Sequence, residues 1–199
     1  MGQAKALLPF GPELMLQRVV RILSAAVSPI VVVAAAGQQL PPLQGNVLLA
    51  RDERDERGPL EGLRSGMKEL ARHGIGDDLA VYATGCDVPL LQVEFVREVL
   101  AALGENQAAV PVEDQFLHPL AAAYRLGVLA DIEDLLAADQ LRPAFLFDRM
   151  ATCRIPVDAL RTADPELLSL QNCNRPEDYL AALQRAGFAA PAQLTLWPF

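Results

Sequence analysis

The chain has 199 residues, long enough for one domain with a sizeable buried core, and nothing in its make-up requires a second. Hydrophobic residues make up 52% of it but are spread along the chain, with no uninterrupted apolar run of about 18 residues, so no membrane-spanning helix is expected. A formal net charge of -8 without clustered Lys and Arg argues against nucleic acid as a partner, and the start, Met1-Gly2-Gln3-Ala4-Lys5, lacks the pattern of a secretory signal, which places the chain in the cytoplasm.

From Leu14 to Val27 apolar residues recur at helical spacing until Ser28-Pro29 interrupts them. Ile30-Val31-Val32-Val33 follows, a β-branched run without alternation that suits a strand covered on both faces. A second strand is expected at Asn46–Ala50, and a helix from Pro59 to about His73, with proline in its first turn. Asp78–Thr84 reads as a buried strand that ends at Gly85-Cys86-Asp87-Val88-Pro89, before a helix over Gln92–Leu103.

Further on, strands are expected at Ala108–Val112 and Leu117–Tyr124 around a turn at Glu113-Asp114-Gln115, then a helix over Gly127–Ala138. A late strand at Arg154–Val157 and a helix over Pro176–Ala186, closed by Gly187, complete the chain. The alternation of strand and helix predicts a doubly wound, mostly parallel α/β sheet with helices on both faces and a small antiparallel insertion. In such sheets ligands bind beyond the carboxyl ends of the strands, where Asp52 and Asp87 both fall.

Four stretches carry residue types suited to chemistry on phosphates. Lys5 supplies a compact ammonium near the start, or is a solvated terminal residue. In Arg51-Asp52-Glu53-Arg54-Asp55-Glu56-Arg57-Gly58-Pro59-Leu60-Glu61-Gly62-Leu63, Gly58 allows a tight turn and Pro59 opens a helix whose free N–H groups suit an anion or a polar base edge. The alternative for this stretch is a solvated loop of mixed charge. In Thr84-Gly85-Cys86-Asp87-Val88-Pro89 the carboxylate at a strand end can hold Mg²⁺, or cap the following helix. Asn172-Cys173-Asn174-Arg175-Pro176-Glu177-Asp178 sets two asparagines before a helix, which Asn174 could equally cap. The three cysteines, Cys86, Cys153 and Cys173, lack the close pairing of a zinc or redox motif and read as reduced thiols.

In this order the four stretches resemble the molybdenum cofactor guanylyltransferases. Met1-Gly2 through Lys5 is similar to the end of a signature that runs from Leu-Ala-Gly-Gly through Arg-Met-Gly to a lysine. Asp52 with Gly58-Pro59-Leu60-Glu61-Gly62 resembles an aspartate followed by Gly-Pro-Leu-Ala-Gly, with Glu61 in place of alanine. Cys86-Asp87-Val88-Pro89 resembles Cys-Asp-x-Pro, and the asparagine stretch resembles Asn-x-Asn-Thr-Pro-Glu-Asp with Arg175 in place of threonine. His118-Pro119-Leu120 through Tyr124-Arg125 resembles the strand beside the acceptor site, but a lone histidine is more often structural and no catalysis is assigned to it.

The resemblance implies a single Rossmann-like nucleotidyltransferase domain over residues 1–199 that transfers GMP from Mg²⁺-bound GTP to molybdenum-bound molybdopterin. It implies that Lys5 meets the nucleotide phosphates, that Asp52 (or Asp55) contacts the nucleotide with Gly58 and Pro59, and that Asp87 is the metal ligand. Asn172 and Asn174 would face the acceptor or the metal. It also sets a strand and a glycine-rich loop ahead of Met1, between Ile30–Val33 and Asp78–Thr84, so the chain is expected to begin late. One departure concerns the base: Ala34-Ala35-Ala36 stands where the family commonly has an asparagine. The alternatives are a cytidylyl- or sugar-phosphate nucleotidyltransferase and, if the loop is absent, a catalytically inactive nucleotide-binding or adaptor protein.

Overall fold

The computed structural model describes residues 5–54 and 57–191. A 3-10 turn at Lys5–Leu7 leads into a short antiparallel hairpin, β1 (Pro9–Phe10) and β2 (Glu13–Leu14), turned at Gly11 with φ +65°. Helix α1 (Met15–Leu23) buries Met15, Leu16, Val19, Val20 and Leu23, the face that the apolar spacing predicts, and stops short of Val27. β3 (Ile30–Ala34) and β4 (Val47–Arg51) pair in parallel, Ile30 opposite Val47 and Ala34 opposite Arg51. α2 (Pro59–Arg72), β5 (Ala80–Thr84) and α3 (Val93–Ala101) follow where the sequence places them.

The second half builds the larger sheet. β6 (Ala108–Glu113) is central to it, flanked by β8 (Ala121–Arg125), antiparallel, and by β9 (Thr152–Pro156), parallel. β7 (Phe116–Leu117) forms a hairpin with β6, and β5 pairs antiparallel with β8. Because β5 and β6 both oppose β8, the strands β5, β6 and β9 point the same way, and β7 and β8 are the antiparallel insertion. The strand expected from Leu117 to Tyr124 is broken at His118-Pro119-Leu120. Pro119 has no N–H to give to a ladder, the Ala121 N–H turns back to the His118 carbonyl at 3.0 Å, and the Tyr124 hydroxyl donates to the Pro119 carbonyl at 2.8 Å.

Helices α4 (Leu129–Ala137), entered through a 3-10 turn at Leu126–Val128, α5 (Ala144–Arg149) and α6 (Pro176–Arg185) complete the structure. Leu60, Leu63 and Met67 of α2 pack with Val31, Val81, Val110, Tyr124 and the inner face of α4. On the other side Val19 and Val20 of α1 share a core with Ile30, Val32, Tyr82 and Val96. The same two helical layers therefore cover both sheets, giving the α/β fold. Among the described residues no ladder joins β3 to β5.

α3 is the most deeply seated element of the second layer, with Phe95, Val96 and Val99 each 0% exposed. Phe95→Ala removes a ring from a core formed with Val99, Leu103, Ala109 and Ile155, and should cost about 3–5 kcal/mol of unfolding free energy in a urea titration. A loss below about 1 kcal/mol would contradict this packing.

Candidate active site

β5 ends at Thr84, and the chain turns through Gly85 to present Asp87. A Cβ on Gly85 would lie 2.5 Å from Asp87 Oδ1, so only glycine lets that carboxylate fold back over the turn. Asp87 does not cap α3. The helix begins at Val93 after Gln92, whose N–H is taken by Ser169 Oγ at 2.9 Å. The Asp87 side chain is 13% exposed and is met by a cation: Lys5 Nζ lies 2.8 Å from Oδ2 and 2.7 Å from Asn174 Oδ1. Asn172 Nδ2 donates to Asp87 Oδ1 at 3.3 Å, and the Cys173 N–H donates to the Asp87 carbonyl at 2.8 Å. Four predicted residues, Lys5, Asp87, Asn172 and Asn174, thus form one hydrogen-bonded cluster.

Local chemistry explains why the asparagines are available. Asp178, in the first turn of α6, accepts the N–H groups of Asn174 and Arg175 through Oδ2, at 3.1 and 2.8 Å. That carboxylate caps the helix and suits the positive end of its dipole. The Asn174 side chain, relieved of capping, turns to Lys5. Ala6, beside Lys5, is buried in the core of α1, which anchors the ammonium's backbone. Arg18 of α1 donates to the Pro89 carbonyl at 2.6 Å, lies 4.8 Å over the Phe10 ring and pairs with Glu13, holding the far side of the Asp87 loop. No signal beyond its place in an amphipathic helix marks Arg18 in the sequence.

Asp52, Gly58 and Pro59 make a second group at the carboxyl end of β4. The Asp52 N–H extends the parallel pairing by donating to the Ala34 carbonyl at 3.0 Å, and Asp52 is half-buried. Gly58 adopts φ +70° with open space where a Cβ would be, so backbone conformation and not crowding calls for glycine there. Pro59 opens α2. Asp55, the competing assignment for Asp52, lies outside the described residues. Around this group sequence reasoning overlooked the buried pair Glu61 and Arg64, although the charged residue at a motif's alanine position and the i,i+3 spacing were both visible.

The His118 ring packs edge-on against the Phe116 ring at 4.9 Å. Burial lowers its basicity and Nε2 has no hydrogen-bond partner among the described residues, which fits a neutral structural histidine. Among the described residues no three His, Cys, Asp or Glu side chains converge as a ready-made metal cage, and no helix is long and apolar enough to cross a membrane.

Residues 1–152 match the MobA-like NTP transferase domain. The chain belongs to this family. It is 36% identical over 160 residues to a Mycobacterium ulcerans protein described as a "probable molybdenum cofactor guanylyltransferase", covering 78% of this chain and 76% of that one. In fold it is similar to molybdopterin-guanine dinucleotide biosynthesis protein A from Archaeoglobus fulgidus, with a TM-score of 0.73 at 18% identity over 94% of this chain and 92% of that one. It is also similar to 2-C-methyl-D-erythritol 4-phosphate cytidylyltransferase from Thermus thermophilus, with a TM-score of 0.65 at 15% identity over 92% and 93%. The chain is therefore a nucleotidyltransferase of α/β fold, as its motifs imply.

Burial disfavours the thiolate form of the two cysteines at the cluster. Burial, reinforced by the Asp87 charge, pushes the Cys86 thiol up to about 11 and Cys173 up to about 12. The thiolate fraction of Cys86 at pH 7 is then about 10⁻⁴, and it rises only as the pH approaches 11. Native protein should therefore react with iodoacetamide at these two positions at least tenfold more slowly than urea-unfolded protein at pH 7. Mass spectrometry of the labelled peptides checks this, and equal rates would contradict it.

Proposed function

We propose that the chain transfers GMP from GTP to the terminal phosphate of a molybdopterin-type acceptor in the cytoplasm, releasing pyrophosphate. The observation that supports this most directly is the convergence of Lys5, Asn172 and Asn174 on the Asp87 carboxylate, in a chain whose relatives are described as molybdenum cofactor guanylyltransferases. An oxygen of the acceptor phosphate attacks the α-phosphorus in line. The bond from that phosphorus to its bridging oxygen breaks, and pyrophosphate departs with the electron pair. No covalent bond to the protein is needed, so the protein's work is positioning and charge stabilisation.

Each residue group fits a part of that work. Lys5 has three N–H donors, of which Asp87 and Asn174 engage two, leaving one for a phosphate oxygen. Asp87 is a half-buried carboxylate that already holds a cation, a hard oxygen donor of the kind Mg²⁺ accepts when substrate phosphates and water supply the remaining ligands. Asp87 would hold that ion, which when bound would neutralise triphosphate charge. Asp52 contacts the nucleotide, at the carboxyl end of β4 and beside the start of α2 at Gly58-Pro59. Asn172 and Asn174 lie where acceptor or metal would meet Asp87.

A second reading, cytidylyl transfer, is supported by the likeness in fold to the Thermus thermophilus cytidylyltransferase and by Ala34-Ala35-Ala36, which offers no side-chain hydrogen bond to a guanine. Pyrophosphate release measured with each nucleoside triphosphate and a molybdopterin acceptor separates the two. Guanylyl transfer predicts a kcat/KM for GTP at least about tenfold above that for CTP, since a matched base edge is worth more than about 1.4 kcal/mol. A preference for CTP would remove the guanylyl assignment.

A further inference from the structure

The stretch that follows Asp52 leaves the sheet and would be free to swing, were it not bound to the first turn of α2. Glu61 is only 2% exposed although it is a carboxylate near the mouth of a loop. Its Oε1 accepts the backbone N–H groups of Glu53 and Arg54, at 3.1 and 3.2 Å, the two that come directly after Asp52. Arg64, 8% exposed, faces the same carboxylate with Nη2 at 2.5 Å and Nε at 3.2 Å. Arg64 Nη1 reaches the Glu53 carboxylate at 3.0 Å, and Lys68 closes on its other oxygen at 2.7 Å.

These contacts form an inner layer and an outer one. The outer pairs, on exposed Glu53, are screened by water and hold little. The inner carboxylate is different: burial raises its pKa, yet hydrogen bonds from Arg64, the Arg64 charge and the N–H groups of Arg54 and Glu53 together hold it below the ordinary carboxylate range. It is therefore charged at neutral pH and bonds two successive N–H groups with charge assistance. Asp52 is pinned from both sides, by its own N–H to Ala34 in the sheet and by Glu61 on the residues that follow. At the far end of the loop Arg57 donates to the Leu136 carbonyl at 2.6 Å, at the end of α4.

We propose that Glu61 is a positioning residue for the nucleotide site: its buried carboxylate, held by Arg64, fixes the backbone after Asp52 so that the Asp52 side chain meets the bound nucleotide. This rests on the assignment of Asp52 as a nucleotide contact. Glu61 itself touches no substrate. A role confined to stability would weaken the fold without singling out nucleotide affinity, whereas a role through Asp52 makes the two residues non-additive.

The test is a kinetic cycle on full-length protein, read as KM for GTP and kcat separately, with Asp52→Asn, Glu61→Ala, Glu61→Gln and the double variant Asp52→Asn/Glu61→Ala. Asp52→Asn and Glu61→Ala should each raise KM about tenfold, with kcat moving less than about threefold. Glu61→Gln keeps an oxygen acceptor for the two N–H groups and should recover most of the loss. The double variant should be within about twofold of Asp52→Asn alone. If Asp52→Asn raises KM while Glu61→Ala leaves it at the native value, or if the effects in the double variant multiply, the positioning role is wrong and the nucleotide assignment stands. If Asp52→Asn leaves KM unchanged, that assignment fails and the positioning role falls with it. Should Glu61→Ala not fold, Glu61→Leu/Arg64→Met, which removes the acceptor together with its buried counter-charge, takes its place in the same comparison.

Discussion

The ammonium of Lys5, shared between Asp87 and Asn174, joins three parts of the chain that are far apart in sequence: the start, the loop after β5, and the segment that enters α6. Each is held by chemistry of its own. Ala6 is sunk in the α1 core, Gly85 lets Asp87 fold back, and the Asp178 cap frees Asn174 from its helix. The convergence of one cation, one carboxylate and two amides is therefore a product of the whole fold. It puts a half-buried acidic oxygen at the end of a strand, where an α/β sheet binds its ligands.

Around that cluster the rest of the structure acts as support. Arg18 steadies the Asp87 loop from α1, and Ser169 takes the N–H at the start of α3 while its own N–H goes to the buried Asp164 at 2.7 Å. On the other sheet β4 delivers Asp52, with α2 opening at Gly58-Pro59 behind it. Helix α2 packs on β3 and β5 alike, so it is the rigid body common to the strands that lead to Asp52 and to Asp87.

Much of this was legible in the sequence because its signals are short-range. Helical spacing marked α1, proline at the first turn marked α2 and α6, and a β-branched run marked β3, each within a few residues of its observed ends apart from the last turn of α1. What escaped depends on partners distant in sequence. The hairpin at Pro9–Leu14 is closed partly by Tyr179, whose hydroxyl donates to the Pro9 carbonyl. Helix α5 has only six residues, too few for a period to show. The break at Pro119 could have been read from the proline alone, since it cannot donate to a central ladder.

For the candidate site, motif order singled out Lys5, Asp52, Asp87 and both asparagines, but not the hydrogen bonds that join Lys5, Asp87 and the asparagines. That Lys5 would meet Asp87 across 82 positions, or that Glu61 would bind the two N–H groups after Asp52, follows only from tertiary packing. The central claim is that the Asp87 carboxylate is the electrostatic centre of nucleotidyl transfer, and the most direct measurement is the single-turnover rate of GMP transfer by Asp87→Asn, a substitution that keeps the side chain's size and removes its charge. The account predicts a rate reduced by about 10²–10³ with native thermal stability. A rate within about threefold of the native protein would contradict it.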